Sequence, residues 1–196
     1  MHILAGAYKG RKLLPPPRAS QTRPITGSVK KSLFDILRDQ LAESTVLDLY
    51  CGTGTLGLEA LSRGAARSIF AERDRRVAER LRRNIEALGV ADRCVVWCGD
   101  VSGRLASWLS SLAGRLDVVF VDPPYGLARK WAWPTAVRKV FAPVAGRLAD
   151  DGRVVLRLPA SVHPPERLGE LALRRRRRYG QMVLAIYARR GPDESG

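Results

Sequence analysis

Two stretches of the chain carry residue types and spacings that could do chemistry, and the first is a glycine-dense loop. Its core is Gly52-x-Gly54-x-x-Gly57, and Asp48 precedes the first glycine. Glycines at this spacing let the backbone turn sharply and approach a ligand at the beginning of a helix. A P-loop is excluded, because the residues after the last glycine are Leu and Glu where Lys and Ser or Thr are required.

Asp48 indicates which ligand the loop takes. Its carboxylate would repel a pyrophosphate and attract a ligand that carries an ammonium and a sulfonium group. S-adenosylmethionine is such a ligand. Two alternatives stay open. Asp48 could only bond amides of the loop, or the loop could hold a nicotinamide dinucleotide, whose fingerprint has the same glycines and an acid, here Glu72, about 20 residues on.

The second stretch is Asp122-Pro123-Pro124-Tyr125, which follows an apolar run. Two consecutive prolines fix the backbone and remove two N–H donors, so the turn presents acceptors only. Asp122 and the Pro123 carbonyl would hold both hydrogens of an exocyclic amine and leave its lone pair free to attack an electrophilic methyl group. Tyr125 offers a ring on which a flipped base could stack. An ordinary proline turn is the alternative.

Further acids stand where predicted strands end. Glu72 would accept hydrogen bonds from both ribose hydroxyls of a nucleoside, and Asp100 from an adenine amino group. A Gly-Asp turn is the alternative role of Asp100. Histidine is scarce, with only His2 and His163. Because G-x-S-x-G is also absent, a hydrolase with a histidine base has little support.

Strands that alternate with helices must position these residues. Apolar runs predict strands over 46–49, 68–71, 94–98, 117–121 and 153–158, and an antiparallel pair over 171–179 and 182–188. Helical spacing predicts helices over 28–41, after 56, and over 77–88, 105–112 and 131–148. The predicted class is α/β, with a mostly parallel seven-stranded sheet whose last strand is antiparallel. Ligands bind at the carboxyl ends of such strands, where the four acids lie.

The chain divides into three predicted parts. Residues 1–25 form a small projecting β-hairpin and a linker extended by prolines, residues 26–190 form the α/β domain, and residues 191–196 form a disordered tail. Four basic residues of the first part are candidate RNA contacts, with a solvated extension as the alternative. They are Lys9, Arg11, Lys12 and Arg23.

The composition indicates which kinds of partner and compartment to expect. The chain has 34 Lys and Arg against 19 Asp and Glu, a net charge of +15. Such a surplus attracts polyanions and suggests a nucleic acid. Cys51, Cys94 and Cys98 form no C-x-x-C pair, so neither a disulfide framework nor a metal site is expected. No apolar stretch approaches the roughly 18 residues of a membrane span, and no signal peptide is evident, so we expect a cytoplasmic protein.

A run of five arginines, Arg174–Arg178, lies on one of the predicted terminal strands. Alternate residues of a strand face opposite sides, so at most about half of this run could contact one RNA surface. The alternative is a solvated charge run.

These motifs resemble known proteins. The stretch TVLDLYCGTGTLGLEALSRGA at residues 45–65, together with D-P-P-Y, resembles class I S-adenosylmethionine-dependent methyltransferases that modify exocyclic amines. The whole chain is similar to bacterial 16S ribosomal RNA guanine-N2 methyltransferases of the RsmD type. That similarity runs through Ala5-Gly6, Gly10-Arg11-Lys12-Leu13, Arg23-Pro24, Ser32-Leu33-Phe34-Asp35-Ile36-Leu37, Tyr179-Gly180 and Ile186-Tyr187.

The resemblance implies a Rossmann-like fold, S-adenosylmethionine as cofactor and a guanine N2 amine of small-subunit RNA as methyl acceptor. The implied cofactor site consists of Asp48, Tyr50, Gly52, Gly54, Glu72, Arg73, Asp100 and Val101, and the implied guanine site of Asp122, Pro123, Pro124 and Tyr125. Two features depart from the family pattern. Gly27-Ser28 replaces a usual Asp-Arg, and Arg157 stands where an acid is common.

The implied partner is 16S ribosomal RNA, in the small subunit or in an assembly intermediate of it. We expect a monomer, without metal, that reads a preformed ribosomal surface. Because D-P-P-Y suits either amine, an adenine-N6 methyltransferase acting on DNA or RNA is an alternative. A non-catalytic RNA-binding or assembly protein is an alternative of another class.

Overall fold

An eight-stranded sheet organises residues 1–17 and 25–190, the part of the chain that this computed structural model describes. The strands are β1 (Thr45–Leu49), β2 (Arg67–Glu72), β3 (Cys94–Cys98), β4 (Leu116–Val121), β5 (Leu148–Pro159), β6 (Arg167–Leu168), β7 (Leu171–Tyr179) and β8 (Met182–Arg189). Their order across the sheet is β3-β2-β1-β4-β5-β8-β7-β6. The first five are parallel, and β8, β7 and β6 follow in antiparallel pairings.

The sheet is mostly parallel as predicted, but it has one strand more than the predicted seven. The additional strand, β6, has only two residues, which are too few to show an alternating pattern in the sequence. The predicted antiparallel pair β7 and β8 is confirmed. Antiparallel pairing is not confined to the last strand, because β8 lies between β5 and β7.

Helices cover both faces of the sheet. They are α1 (Gly27–Ile36), α2 (Thr55–Ser62), α3 (Arg75–Leu88), α4 (Val101–Ser110), α5 (Tyr125–Ala128), α6 (Trp133–Ala136) and α7 (Ala142–Ala145), with a π-helical segment Val137–Phe141 between the last two. The helix predicted over residues 131–148 is therefore present as one continuous helical run over residues 133–145, whose middle part is π-helical. It begins beside Pro134, because proline suits the first turn of a helix.

The chain order reverses at β1, which places a crevice at that point. One edge of β1 pairs with β2 and the other with β4, so Leu49 lies between Ala71 and Val121. In open parallel sheets, ligands bind in the crevice beyond the carboxyl ends of such strands. The loop after β1 and the turn after β4 therefore meet at one place.

The amino-terminal hairpin is present, but it packs against α2 instead of projecting. His2 and Lys12 form an antiparallel bridge, and Ile3 and Leu13 are buried in the core. At Gly6 the hairpin backbone lies against Ser62 so closely that any side chain would collide with the Ser62 carbonyl. Arg23 of the predicted linker and the tail 191–196 lie outside the described residues.

A buried carboxylate holds the hairpin in place. Glu59 of α2 accepts hydrogen bonds from the N–H groups of Leu4 and Ala5, at 2.8 and 3.1 Å. It also forms ion pairs with Lys30 at 2.8 Å and Arg63 at 2.9 Å. Burial alone would raise the pKa of Glu59, but the hydrogen bond from Lys30 and the other donors hold it below its ordinary value. The hairpin is thus fixed to both α1 and α2.

Candidate active site

The loop after β1 takes a course that depends on glycine. Gly52 and Gly54 have left-handed backbone conformations, with φ of 57° and 84°, and Tyr50 has φ of 60°. Gly54 is also the residue before α2, where a side chain would collide with Leu81. These conformations turn the chain from β1 directly into α2, so the backbone N–H groups at the start of α2 lie beside the end of β1.

Asp48 has one carboxylate oxygen in use and one without a partner. Oδ2 accepts a hydrogen bond from the Gly57 N–H at 2.9 Å, while Oδ1 is buried and has no hydrogen-bond partner within residues 1–17 and 25–190. Burial, and to a smaller extent the charges of Asp122 and Glu72, raise the pKa of Asp48 to about 8. A buried acceptor without a donor is costly, so this oxygen is suited to a cationic or hydrogen-bonding ligand.

Glu72 supports the same loop from β2. Its Oε2 accepts from the Gly52 N–H at 3.0 Å and its Oε1 from the Asp74 N–H at 2.8 Å. A carboxylate has about four lone-pair sites, so two bonds leave capacity for a ligand. Arg73, the next residue, is exposed.

Asp100 begins the helix that follows β3. Its side chain accepts from the Gly103 N–H at 3.0 Å, which makes it the N-cap of α4, with the buried Val101 as first helical residue. Because Glu72 pairs with Cys98 in the sheet, Asp100 lies at the same edge as Glu72. Both acids therefore have structural roles of their own in addition to the predicted adenosine contacts.

Asp122 lies at the end of β4 and pairs with an arginine of the neighbouring strand. The Nε of Arg157 donates to Asp122 Oδ1 at 2.5 Å, and only 7% and 17% of the two side chains are exposed. Burial raises the pKa of Asp122 above its ordinary value, and the positive charge and hydrogen bond of Arg157 oppose this rise. The sequence had marked Arg157 only as a departure from a family pattern, so its contact with the D-P-P-Y motif was missed.

Tyr125, the first residue of α5, lies among guanidinium groups. The Arg157 guanidinium is 5.5 Å from the centre of its ring and the Arg129 guanidinium 5.9 Å. Both distances are typical of cation–π contacts. A base that stacks on a ring face covered by one of these guanidinium groups must displace it, and the exposed Arg129 is the easier to displace.

One cleft, open to solvent, brings the two motifs together. The sequence-predicted residues in its wall are Asp48, Tyr50, Gly52, Asp122, Pro123, Pro124 and Tyr125. The Asp122 N–H also donates to the Leu49 carbonyl at 3.3 Å, which fixes the D-P-P-Y turn to the end of β1. Glu72, Arg73, Asp100 and Val101 stand further along the same sheet edge, around the ends of β2 and β3.

Residues of the amino-terminal extension also line the cleft, and sequence reasoning missed them. They are Met1, Pro16 and Ile25. The extension follows α2 along its length, because Met1 Sδ accepts a hydrogen bond from Thr55 and Tyr8 lies at Ser62. No local motif marks these positions. Their only signal is the pair of apolar residues, Ile3 and Leu13, that anchors the hairpin.

The candidate RNA-binding residues of the hairpin are not brought to the cleft. Their turn lies at Ser62, one length of the eight-residue helix α2, or about 12 Å, from Thr55 at the cleft. Lys9 is exposed there, and Arg11 donates to the Ala87 carbonyl at the end of α3. Lys12 is also exposed, but it pairs with His2, the neighbour of Met1 in the cleft wall. The Arg23 candidate lies outside the described residues.

Residues 1–17 and 25–190 contain neither a candidate metal site nor a candidate membrane span. No cluster of three or more His, Cys, Asp or Glu residues there is arranged to hold a metal ion. No helix in these ranges is both long enough and apolar enough to cross a membrane.

Solved structures of other proteins share this fold. A solved structure, "Putative methyltransferase yhhF from Escherichia coli", superposes with a TM-score of 0.78 at 31% identity, covering 96% of this chain and 97% of that one. A hypothetical protein of Thermus thermophilus, TTHA0928, gives a TM-score of 0.77 at 28% identity, covering 95% of this chain and 98% of that one. These neighbours confirm the predicted Rossmann-like methyltransferase fold.

Sequence relatives cover nearly the whole chain. A putative rRNA methyltransferase of Bacillus subtilis, YlbH, is 32% identical over 97% of this chain and 100% of its own length. Ribosomal RNA small subunit methyltransferase D of Escherichia coli is 31% identical over 100% of this chain and 93% of its own length. A family model described as "Conserved hypothetical protein 95" matches residues 1–188. The chain therefore belongs to the conserved hypothetical protein 95 family, the family of the small-subunit ribosomal RNA methyltransferases D.

Proposed function

We propose that this protein transfers a methyl group from S-adenosylmethionine to the exocyclic N2 amine of a guanine in 16S ribosomal RNA. The observation that carries the proposal is the shared cleft, in which Asp48 and the D-P-P-Y turn face one space. The names of its relatives support RNA of the small ribosomal subunit as substrate. We further propose that it acts in the cytoplasm as a monomer, on the small subunit or an assembly intermediate.

The cofactor end of the cleft fits a cationic nucleoside. Asp48 Oδ1 offers a buried, unpartnered acceptor to the positively charged methionine end, and Tyr50 and Gly52 line the cleft beside it. Gly54 packs against Leu81 and supports the loop from behind. Glu72 and Asp100 continue the same edge toward the ribose and adenine, with Arg73 and Val101 next to them in the chain. S-adenosylmethionine would supply an electrophilic methyl group here.

The acceptor end of the cleft holds an amine through acceptors alone. Asp122 retains lone pairs on its carboxylate in addition to the bond from Arg157, and Pro123 and Pro124 have no N–H to compete with the amine. With both hydrogens held by Asp122 and the Pro123 carbonyl, the lone pair of the nitrogen is free to attack. Positioning of this kind can contribute roughly 7 to 11 kcal/mol to catalysis.

Arg157 adds a constraint to this arrangement. Its guanidinium contacts both the Asp122 carboxylate and the Tyr125 ring, so it fixes the direction of the carboxylate before substrate enters. A group held in place by packing and charge needs no reorganisation during reaction. The departure of Arg157 from the family pattern thus has a function in this chain.

The test is methyl transfer from labelled S-adenosylmethionine to unmodified small-subunit particles, protein-free 16S RNA and DNA, followed by nucleoside analysis. We expect N2-methylguanosine from the particles. Asp122→Asn should lower the rate at least about 100-fold, because an acceptor aimed at the reacting amine is lost. Binding of S-adenosylmethionine, measured by calorimetry, should persist in that variant. Asp35→Asn is the control, since Asp35 is an exposed carboxylate on α1.

Each other outcome has a defined meaning. N6-methyladenine in place of N2-methylguanosine would replace the acceptor and support the adenine alternative. Equal modification of protein-free 16S RNA and of particles would reject recognition of a preformed surface. If no methyl group is transferred to any substrate, the proposed methyltransferase activity is rejected and the non-catalytic RNA-binding alternative is favoured.

A further inference from the structure

The five consecutive arginines of β7 are divided between the two faces of the sheet. All five side chains, Arg174–Arg178, are exposed. A bulge between Leu173 and Arg175 shifts the register against β8. After it, Arg175 and Arg177 pair with Ile186 and Leu184, while Arg176 and Arg178 pair with Ala185 and Val183. Directly paired residues of neighbouring strands point to the same face.

Arg175 and Arg177 lie on the face that carries the cleft. Their partners Ile186 and Leu184 belong to the core cluster that also contains α1 and α2 residues. Leu184 in turn pairs with Arg157 of β5. Arg157, Leu184 and Arg177 therefore form one row across three neighbouring strands. With strands about 4.8 Å apart, the backbone of Arg177 lies about 10 Å from that of Arg157.

The direction of the strands brings this row to the catalytic edge. β7 runs parallel to β5, because each is antiparallel to β8. The carboxyl end of β7 therefore lies at the same edge of the sheet as the carboxyl ends of β4 and β5. Tyr179, at that end, is held to α1 by a hydrogen bond of 2.6 Å to Ser32. Arg175 and Arg177 therefore lie on the part of β7 that adjoins α1, near the cleft.

Arg176 and Arg178 have a different environment. Ala185, opposite Arg176, belongs to the core cluster on the other face of the sheet, as does Tyr187. Tyr187 lies within electrostatic range of both Arg176 and Glu166, so an acid stands near Arg176. Arg178 donates from Nε to the Gly180 carbonyl at 3.2 Å. This pair faces away from the cleft.

We propose that Arg175 and Arg177 bind phosphates of the RNA strand that carries the nucleotide in the cleft, whereas Arg176 and Arg178 do not. The proposal rests on the proposed function, since it takes RNA as the partner. Two exposed guanidinium forks, two strand positions or about 6.6 Å apart, match a polyanion with regularly spaced charges. Such contacts set the position of the backbone and carry no sequence information.

The test compares two variants with the same loss of charge. One carries Arg175→Gln and Arg177→Gln, the other Arg176→Gln and Arg178→Gln. KM and kcat for small-subunit particles are measured between 50 and 200 mM salt. For the first variant we expect KM to rise about 3- to 30-fold with kcat unchanged. Its slope of log KM against log salt should fall by about 1.4 to 1.8, the value for two lost phosphate contacts.

The second variant is the matched control. Its KM should rise less than about threefold, and its salt slope should stay near that of wild type. Equal effects of the two variants, or no effect of the first, would overturn the proposal. Calorimetric binding of S-adenosylmethionine and the melting temperature should be the same in both, because neither pair touches the cofactor side of the cleft.

A direct binding assay separates this inference from the proposed function. Filter binding of 16S RNA fragments to wild type and the two variants measures the contribution of Arg175 and Arg177 to RNA affinity without any methyl transfer. If wild type transfers no methyl group but only the first variant loses RNA binding, the proposed methyltransferase activity is rejected, and RNA binding by Arg175 and Arg177 is supported. If wild type methylates RNA and the two variants bind it equally, only the arginine inference fails.

Discussion

Replacement of Asp48 by asparagine is expected to change the pH dependence of stability of the ligand-free protein. An unfolded aspartate loses its proton near pH 3.9, but the buried Asp48 keeps it until about pH 8. Between these values the unfolded chain binds fewer protons than the folded protein, so the free energy of unfolding falls as the pH rises. Asparagine has no proton to lose, and its side-chain oxygen can still accept from the Gly57 N–H.

The size of the effect follows from the same pKa difference. The free energy of unfolding of Asp48→Asn minus that of wild type should grow with pH by up to about 1.4 kcal/mol per unit. Over the four units between pH 4 and pH 8 the upper limit is about 5 kcal/mol. The variant should therefore gain stability relative to wild type as the pH rises toward 8, although it loses the acidic group of the proposed cofactor site.

Urea unfolding of both proteins at pH 5, 6, 7 and 8, without ligand, measures this difference. Asp35→Asn serves as control, because Asp35 pairs only at the surface with Lys31 and its replacement should have little effect at any of these pH values. A second measurement is the calorimetric affinity for S-adenosylmethionine. It should rise with pH up to about 8 in wild type, as binding expels the Asp48 proton, and less in Asp48→Asn, where only the ligand's amine titrates.

One result would refute this reasoning. If the stability difference between Asp48→Asn and wild type is constant from pH 5 to pH 8, Asp48 is already ionised in the ligand-free protein. The negative charge of Asp48 would then be compensated by another group in the ligand-free protein, and its unpartnered oxygen would no longer indicate a cationic ligand.

Two further predictions concern stability. Gly57→Ala should cost about 1–3 kcal/mol, because the added methyl group would overlap the ring of Phe70; Gly126→Ala, where nothing lies within 4 Å, should be close to neutral. Urea unfolding of the two variants checks this, and equal stabilities would contradict it. Lys30→Met should cost up to about 3 kcal/mol, since it removes the more deeply buried of the two cations that pair with the buried Glu59 and leaves only Arg63, whereas Lys31→Met removes only an exposed pair and should cost less than about 1 kcal/mol. Thermal unfolding compares them, and a similar loss in both would exclude a stabilising role for the buried pair.

The sequence was sufficient for the order of the elements and for the main features of the cleft. Strand and helix periodicities are local, as are the glycine and proline signals that end them. Once the strands are parallel, their carboxyl ends must share an edge, so Asp48 and Asp122 were predictable neighbours although they are far apart in the chain. The observed cleft contains both.

Long-range side-chain pairing was not predictable in the same way. The contact of Arg157 with Asp122 depends on the register of β5 against β4, which leaves no local pattern in the sequence. Glu59 was noticed in the sequence only because it excludes a P-loop. Its role in anchoring the hairpin depends on Lys30 and on backbone donors of a distant segment. The RNA contacts predicted for Lys9, Arg11 and Lys12 stay predictions, and none of these three residues lines the cleft.

The arginine run and its bulge have a consequence for how this strand can change during evolution. In most strands, the insertion or deletion of one residue exchanges the residues of the two faces and so destroys a functional surface. In β7 a deletion ahead of the run would bring Arg176 and Arg178 to the positions of Arg175 and Arg177, and an insertion would bring Arg174 and Arg176 there. The charge presented beside the cleft would be the same. Because the run repeats one residue type, a one-residue shift in register preserves the positive charge on this surface. The arginine positions therefore need no compensating substitutions when the strand gains or loses one residue.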